Sequence, residues 1–294
     1  MAEESVTIVG CGYVGRRLAK LLQQEGRGVL GLVHSDSSLR TLLSAGVPAA
    51  LIDLDRPAGP CPGEGDYYVY MVPPPPAGDT DPRIKAWLES LTRAPRRVVY
   101  LSTTAVYGDR AGAEVTECSE TRPSSDRGRR RLNAERALLE YGARSGASVR
   151  ILRVPGIYGP GRLPLGRIAD GQPIPAVSST GPGNRIHVDD LAGACLAALG
   201  YGGPTEIFNV GDGEHASMGE YFMRVARLAG LPSPPQLPLA ELLELVSPAM
   251  REFLAESRRV DTSLMRSELG YRPSYEDLDS GIAASLSEEP PSGA

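Results

Sequence analysis

Short runs of β-branched and other apolar residues alternate with segments of helical periodicity through the first half of the chain. Val6–Val9 (VTIV) reads as a buried strand and Arg16–Glu25 (RRLAKLLQQE) as a helix closed by Gly26. Val29–Val33 (VLGLV) is the second strand, and Ser38–Gly46 (SLRTLLSAG) a short helix ending in glycine. Ala49–Asp53, Tyr67–Val72, Arg97–Ser102 and Arg150–Val154 supply four more strands, with helices around Ile84–Leu91 and Leu132–Arg144 between the last three. Strands that are apolar throughout and alternate with helices predict a parallel sheet covered on both faces. The fold class is therefore α/β, a doubly wound parallel sheet.

Beyond Val154 the pattern changes. PGIYGPGRLPLGR and DGQPIPAVSSTGPGNR are loop-rich, and RIHVDDLAGACLAALG returns briefly to order, with Asp189 or Asp190 placed to cap a helix that ends at Gly200. EIFNVGD (Glu206–Asp212) reads as one more sheet strand, after which helical segments dominate, among them MGEYFMRVARLAG and LAELLELVSPAMREFLAE. The division this predicts is a sheet domain over residues 1–153, with a return to the sheet at 186–212. A smaller, mostly helical lobe follows from 154–185 and 213–294 and sits over the carboxyl ends of the strands, where open α/β sheets bind ligands.

Composition narrows the picture further. The 294 residues are 41% hydrophobic and 23% charged, ordinary for a globular chain, and the formal net charge of −5 argues against nucleic-acid binding through bulk positive charge. Cys11, Cys61, Cys118 and Cys195 are scattered with no CxxC pair, and His34, His187 and His215 are too far apart to suggest ligands, so no metal site is expected. The opening MAEESVTIVG is acidic and runs straight into a strand, which predicts no signal peptide. No apolar run approaches membrane-spanning length, and a reduced, cytoplasmic protein is expected. The tail SEEPPSGA is polar and rich in Pro and Gly, and is expected to fray. A homodimer is left open.

The first strand runs into Gly10-Cys11-Gly12-Tyr13-Val14-Gly15 and then a helix. Gly10 permits the tight turn, Gly12 lets the backbone approach a pyrophosphate, and Gly15 lets helix and strand pack closely. The helix N-terminus adds free N–H groups and a positive dipole end. Such glycines alone also mark plain structural turns, but here strand, helix and N-terminal position coincide, which points to dinucleotide binding and the Rossmann fold. NAD and NADP are both open. The tip of the second strand reads His34-Ser35-Asp36, with Arg40 a turn further on; Asp36 could reach a ribose, while Ser35 and Arg40 could hold a 2′-phosphate.

VVYLSTTAVYGDRAGAEVTE, RVPGIYGPGR, RIHVDDLA and FNVGD follow the glycine loop in order. With these the chain resembles the extended short-chain dehydrogenase/reductase family, the NAD-dependent epimerase/dehydratase group, over nearly its full length. The resemblance implies a cofactor site at the strand tips. It comprises Tyr13 and Val14 with the glycines; His34, Ser35 and Arg40; Asp53 and Leu54; Val72 and Pro73; Ser102; and Pro155. It also implies a small-molecule substrate, which in this group can be nucleotide-linked, with Arg185 and His187 facing its phosphate; the plain alternative for His187 is a packed strand residue.

The family's catalytic unit is a Ser or Thr after the fifth strand and a Tyr and Lys four residues apart on the next helix, a spacing that sets both on one face. The hydroxyl position matches Thr103. In PSSDRGRRRLNAE the family pattern falls into register at Pro123, Gly128, Ala134 and Glu135, which puts Arg127 at the tyrosine position and Arg131 at the lysine position. Arginine has only donors and stays protonated, so it cannot act as the base. Arg131 could still bond the nicotinamide ribose, and Arg127 could polarise a carbonyl or grip a carboxylate or phosphate. The run Arg127, Arg129, Arg130, Arg131 also reads as a solvated helix face. Tyr107 and Tyr158 are structural residues or substitute proton donors. Loss of the tyrosine, the G-x-G-x-x-G spacing and MVPPPP at Met71–Pro76 are similar to the atypical, YeeZ-like subgroup. Where dehydratases carry an Asp-Glu pair, this chain has Thr104-Ala105. Two functions follow as expectations: an NAD(P)-dependent oxidoreductase or epimerase, or a non-catalytic dinucleotide-binding sensor or partner-binding module.

Overall fold

The structure, a computed structural model, describes residues 5–56, 59–63, 65–247, 250–251, 254 and 256–289. Seven strands form one parallel sheet: β1 (Val6–Val9), β2 (Val29–Val33), β3 (Ala49–Leu51), β4 (Tyr67–Tyr70), β5 (Arg97–Thr103), β7 (Ser148–Val154) and β11 (Ile207–Asn209). Their spatial order is β11-β7-β5-β4-β1-β2-β3. The chain leaves β1 towards β2 and β3, then returns to the other side of β1 with β4. The carboxyl ends part at that reversal, and a crevice opens there. Three short parallel pairs lie outside the sheet: β6 (Glu114–Val115) with β13 (Arg259–Val260), β8 (Gly156–Tyr158) with β10 (Arg185–His187), and β9 (Ile174–Pro175) with β12 (Gln236–Leu237).

The apolar strands are buried on both sides. Ile8 belongs to a core shared with α1 (Tyr13–Gln24) and α6 (Val188–Gly200), whereas its neighbour Val9 joins the core under α3 (Pro82–Ser90) and α4 (Asp126–Ser145). Leu18, Leu22, Leu191 and Cys195 fill the first core; Ile84, Trp87 and Leu138 fill the second. A third core, separate from the sheet, gathers Tyr158, Leu163 and Ile168 with Phe222 and Val225 of α7 (Met218–Leu228) and Ile282 of the last helix, Leu278–Ser287.

Boundaries shift where local chemistry overrides the apolar pattern. β4 stops at Tyr70 rather than Val72, because the prolines that follow Val72 offer no N–H to a ladder. α4 begins six residues before the expected Leu132: the Ser125 hydroxyl accepts from the Gly128 N–H at 3.2 Å, and the whole arginine run becomes helical. The cap of α6 is neither aspartate. His187 Nδ1 accepts from the Asp189 N–H at 3.3 Å, while the Asp190 carboxylate takes the Tyr271 hydroxyl and the Ser274 and Tyr275 N–H groups. β10 pairs with β8, so within 186–212 only β11 rejoins the main sheet. Of the expected helical stretch 239–256, Leu239–Leu245 is helical; residues 248, 249, 252, 253 and 255, like 290–294 of the tail, lie outside the described residues.

Candidate functional site

The glycine loop stands at the mouth of the crevice. Gly10 has φ +85°, and a Cβ there would lie 2.9 Å from the Val72 backbone nitrogen, so the turn is packed against the chain leaving β4. Gly12 is the opposite case, exposed, with 3.9 Å to the nearest atom from a Cβ position. It starts α1 without a side-chain cap, leaving the first N–H groups of Tyr13, Val14 and Gly15 open to an anion. Gly15 sits against Ile8 and Cys11, with contacts of 3.1 and 3.2 Å from a Cβ position, which holds helix to strand. Cys11 is a buried small residue whose thiol is pushed up to about 12 by burial.

The remaining predicted cofactor positions fall along one edge of the sheet. His34 and Asp53 face each other across the tips of β2 and β3, Nδ1 to Oδ1 3.9 Å, and both are exposed. The Asp53 carboxylate also accepts from the Asp55 and Arg56 N–H groups, and Leu54 beside it is buried. Ser35 caps α2 (Asp36–Ser44), accepting from the Ser38 N–H, and Arg40 is exposed on that helix. The Pro73 carbonyl is held by Arg83, itself bidentate to Asp55 at 2.7 and 2.6 Å. Tyr13 reaches the other way, donating to the Pro160 carbonyl at 2.8 Å beneath the Arg162 guanidinium, 4.0 Å from its ring centre.

At the end of β5 the two predicted hydroxyls part company. Ser102 turns inward and donates to Glu135 Oε1 at 2.5 Å. Glu135 also holds Arg153, Oε1 to Nε 3.2 Å and Oε2 to Nη2 2.8 Å; Arg153 donates to the Tyr107 hydroxyl at 2.9 Å, and Tyr107 to Asn209 Oδ1 at 2.6 Å. This buried chain of polar groups explains Glu135 as structural. It also places the Tyr107 hydroxyl in the interior, where burial raises its pKa and no substrate reaches it. Thr103 turns outward into a cavity of about 480 Å³, where its Oγ1 accepts from the Ala105 N–H at 3.3 Å.

Gly128 sets the next helix close to that strand end, since a Cβ there would come within 2.8 Å of the Ala105 carbonyl. Arg127, one residue earlier, therefore lines the cavity with Thr103 and Ser125. Its side chain reaches solvent through the cavity; partial burial and the charges of Arg131 and Arg130 lower its pKa, and arginine still remains protonated. It makes no hydrogen bond or ion pair with the described residues. Arg131 is instead tied to the sheet through Nη1, which donates to the Leu101 carbonyl at 2.9 Å and the Tyr100 hydroxyl at 3.1 Å. Burial pushes Tyr100 up to about 12 against the opposing charge of Arg131.

The cavity continues past Pro155 to β8 and β10. Arg185 is buried there, donating to the Ala216 carbonyl at 2.6 Å and the Ser217 carbonyl at 3.3 Å, with its guanidinium 4.4 Å from the Tyr221 ring centre. Among the described residues no carboxylate pairs with it directly, and burial lowers its pKa. His187 does not line the cavity. Its Nε2 lies 3.2 Å from Ser285 Oγ and its ring 4.3 Å from that of Tyr275, the packed-residue alternative. Tyr158 lines the cavity, but its hydroxyl oxygen is buried against Gly281 of the last helix, 2.1 Å from a Cβ position there. Reading the sequence missed three of the charged lining residues. Arg162 stood in plain sight at the end of YGPGR; Glu256 and Arg258 come from a segment with no motif and reach the site only through the fold.

Residues 85–211 match the model of the NAD dependent epimerase/dehydratase family. The YeeZ protein of Escherichia coli is 28% identical over 289 residues, covering 93% of this chain and 97% of YeeZ. A functionally unknown conserved protein of solved structure from Silicibacter pomeroyi is similar over 97% of this chain and 99% of that one, at TM-score 0.85 and 29% identity. A UDP-glucuronic acid 4-epimerase from Bacillus cereus, solved in complex with NAD, shares the fold over 96% of each chain at TM-score 0.75 and 19% identity. Residues 85–211, which carry β5, the arginine helix α4 and the strands β7 to β11, are thus the part of the chain that resembles the NAD dependent epimerase/dehydratase family.

Proposed function

We propose that the protein binds NAD or NADP along the crevice between β1 and β4 and acts as an oxidoreductase or epimerase on a small, nucleotide-linked substrate in the adjoining cavity. The observation that carries this is the wall of that cavity: Arg127, Arg162, Arg185 and Arg258 against Glu256 as its one carboxylate among the described residues, on a chain of net charge −5. Such a site selects an anion. The NAD in the Bacillus cereus epimerase supports the cofactor, and so does the fit of the loop: Gly12 open to approach, uncapped N–H groups at α1, and unused donors on Arg131. When bound, NAD(P) supplies the acceptance and return of a hydride.

The chain's own residues then have separable roles. Gly10, Gly12 and the start of α1 hold the pyrophosphate, and Arg131 reaches the ribose with its Nη2 and Nε hydrogens. Asp53 and Leu54 border the adenine, with His34, Ser35 and Arg40 around its ribose. Val72, Pro73 and the backbone at Ser102 and Pro155 line the nicotinamide end. Arg185 faces the substrate phosphates, Thr103 orients the reacting oxygen through its free O–H, and Arg127 stabilises negative charge beside it. The third apolar core, from residues 154–185 and 213–294, forms the substrate lobe.

One observation favours the non-catalytic reading. The helix α4 brings no proton-exchanging group to Thr103, and Glu256 is already engaged by both the Ser124 hydroxyl and Arg258. The test separates binding from turnover. At a hundredfold excess over Kd, the dinucleotide should stabilise the protein by about 2.7 kcal/mol, and Gly12→Val, with a branched side chain where the pyrophosphate approaches, should abolish that gain. Unchanged stabilisation in the variant sinks the cofactor assignment. Nicotinamide absorbance followed over hours with carbonyl and nucleotide-linked candidates decides the rest. An enzyme exchanges hydride and loses roughly a hundredfold in rate on Arg127→Ala, whereas a binding module shows no exchange at all.

A further inference from the structure

The wall around Arg127 is rich in donors, with Glu256 as its one carboxylate among the described residues. Thr103 Oγ1 accepts from the Ala105 N–H and Ser125 Oγ from the Gly128 N–H, so each hydroxyl has its proton left to give to the cavity. Arg127 adds a planar guanidinium that makes no hydrogen bond or ion pair with the described residues, in a positive field raised by Arg131 and Arg130 behind it. Arg130 is spent on the Gly78 carbonyl at 2.6 Å and Arg131 on the strand end. Glu256 opposes that field but makes no ion pair with Arg127, because Ser124 holds one of its oxygens and Arg258 Nη2 the other, the latter at 2.6 Å. A neutral sugar ring would leave this fork unpaired, while the phosphates of a nucleotide are met by Arg185 from β10, a different element.

We propose that the substrate carries a carboxylate at its reacting end and that Arg127, with the hydroxyls of Thr103 and Ser125, is the group that selects it. This rests on the reading of the cavity as the substrate site. Arginine at the family's tyrosine position is then a specificity residue: its fork matches a planar carboxylate in two parallel bonds, which neither lysine nor tyrosine reproduces.

The experiment measures, on protein saturated with NAD, the affinities of UDP-glucuronic acid, UDP-glucose and UDP alone, and the thermal shift produced by glucuronate against glucose. Wild type should prefer the uronate of each pair, by about tenfold or more for the UDP compounds, the worth of one charge-assisted bidentate contact. In Arg127→Gln the ratio should fall to about one. UDP binding with no uronate preference, or a preference that survives in Arg127→Gln, overturns the proposal while leaving the nucleotide reading intact. If UDP does not bind but glucuronate still stabilises wild type and not the variant, the carboxylate site stands and the nucleotide-linked reading falls. If neither binds, both fall.

Discussion

Asp212 shows how a single carboxylate couples this fold to pH. It follows β11, is 3% exposed, and accepts from the Glu214 N–H at 3.0 Å; burial outweighs that bond and the charge of Arg185, and its pKa is raised to about 7. An unfolded aspartate titrates near about 3.9. Between these values the folded protein keeps the proton and the unfolded chain releases it, so stability falls as pH rises from about 4 to 7, by at most about 4 kcal/mol. Asp212→Asn retains the acceptor without the charge. Its urea midpoint should change less than that of wild type between pH 5 and pH 8, and at pH 8 it should be the more stable protein; equal slopes would falsify the assignment. The Glu135–Arg153 pair is a buried ion pair, Oε2 to Nη2 2.8 Å. Glu135→Gln leaves a buried guanidinium uncompensated and should cost about 3–5 kcal/mol in denaturant unfolding, whereas Tyr107→Phe, which removes the bonds to Arg153 and Asn209, should cost about 1–3 kcal/mol.

Among the elements, α1 and α4 do the positioning, and their glycines and caps are not interchangeable. Gly10→Ala forces a side chain into a left-handed backbone and against the Val72 nitrogen, so it should destabilise by about 1–3 kcal/mol. Gly12→Ala meets open space and should leave the unfolding midpoint of the free protein nearly where it was. Equal losses in the two variants would mean that the loop is built differently. At α4, Ser125→Ala removes the cap that extends the helix over the arginine run. The expected cost is about 1 kcal/mol, together with faster amide exchange at Gly128, because its N–H loses its acceptor.

For the whole molecule, charge is divided unevenly: a net charge of −5 overall encloses a cavity whose wall is dominated by arginine. Raising salt from about 0.01 M to 1 M shortens the screening length from about 30 Å to about 3 Å. UDP affinity should fall roughly tenfold over that range, with Arg162→Ala giving a weaker salt dependence than wild type, since its exposed guanidinium is among the more easily screened charges. An affinity indifferent to salt would place UDP away from these arginines. The cavity and the crevice are also clasped together, by Tyr13 on Pro160, Arg17 on Asp189 at 2.7 Å, and Glu289 on the Gly161 N–H at 2.6 Å. No helix among the described residues is long and apolar enough to cross a membrane.

The parallel sheet was readable from the chain alone, because strands buried on both faces are mostly apolar, with exceptions such as Arg150 and Arg153 in β7, and that signature is local. All seven sheet strands were legible in this way, and so was the glycine loop, whose backbone requirements are written into three residues. Helix starts were read less well: Ser125 and His187 act through side-chain bonds to backbone N–H groups that apolar periodicity does not register. Tertiary structure alone decided which way neighbouring side chains face. Ser102 and Thr103 are adjacent in the chain, yet one enters a buried ionic network and the other the cavity, the alternation imposed by a strand between two layers. It alone brought Glu256 and Arg258 beside Arg127, more than a hundred residues away in sequence, because cavity walls are made by long-range packing. That packing left Arg127 without a hydrogen bond or ion pair to the described residues, because Glu256 is already taken by Ser124 and Arg258.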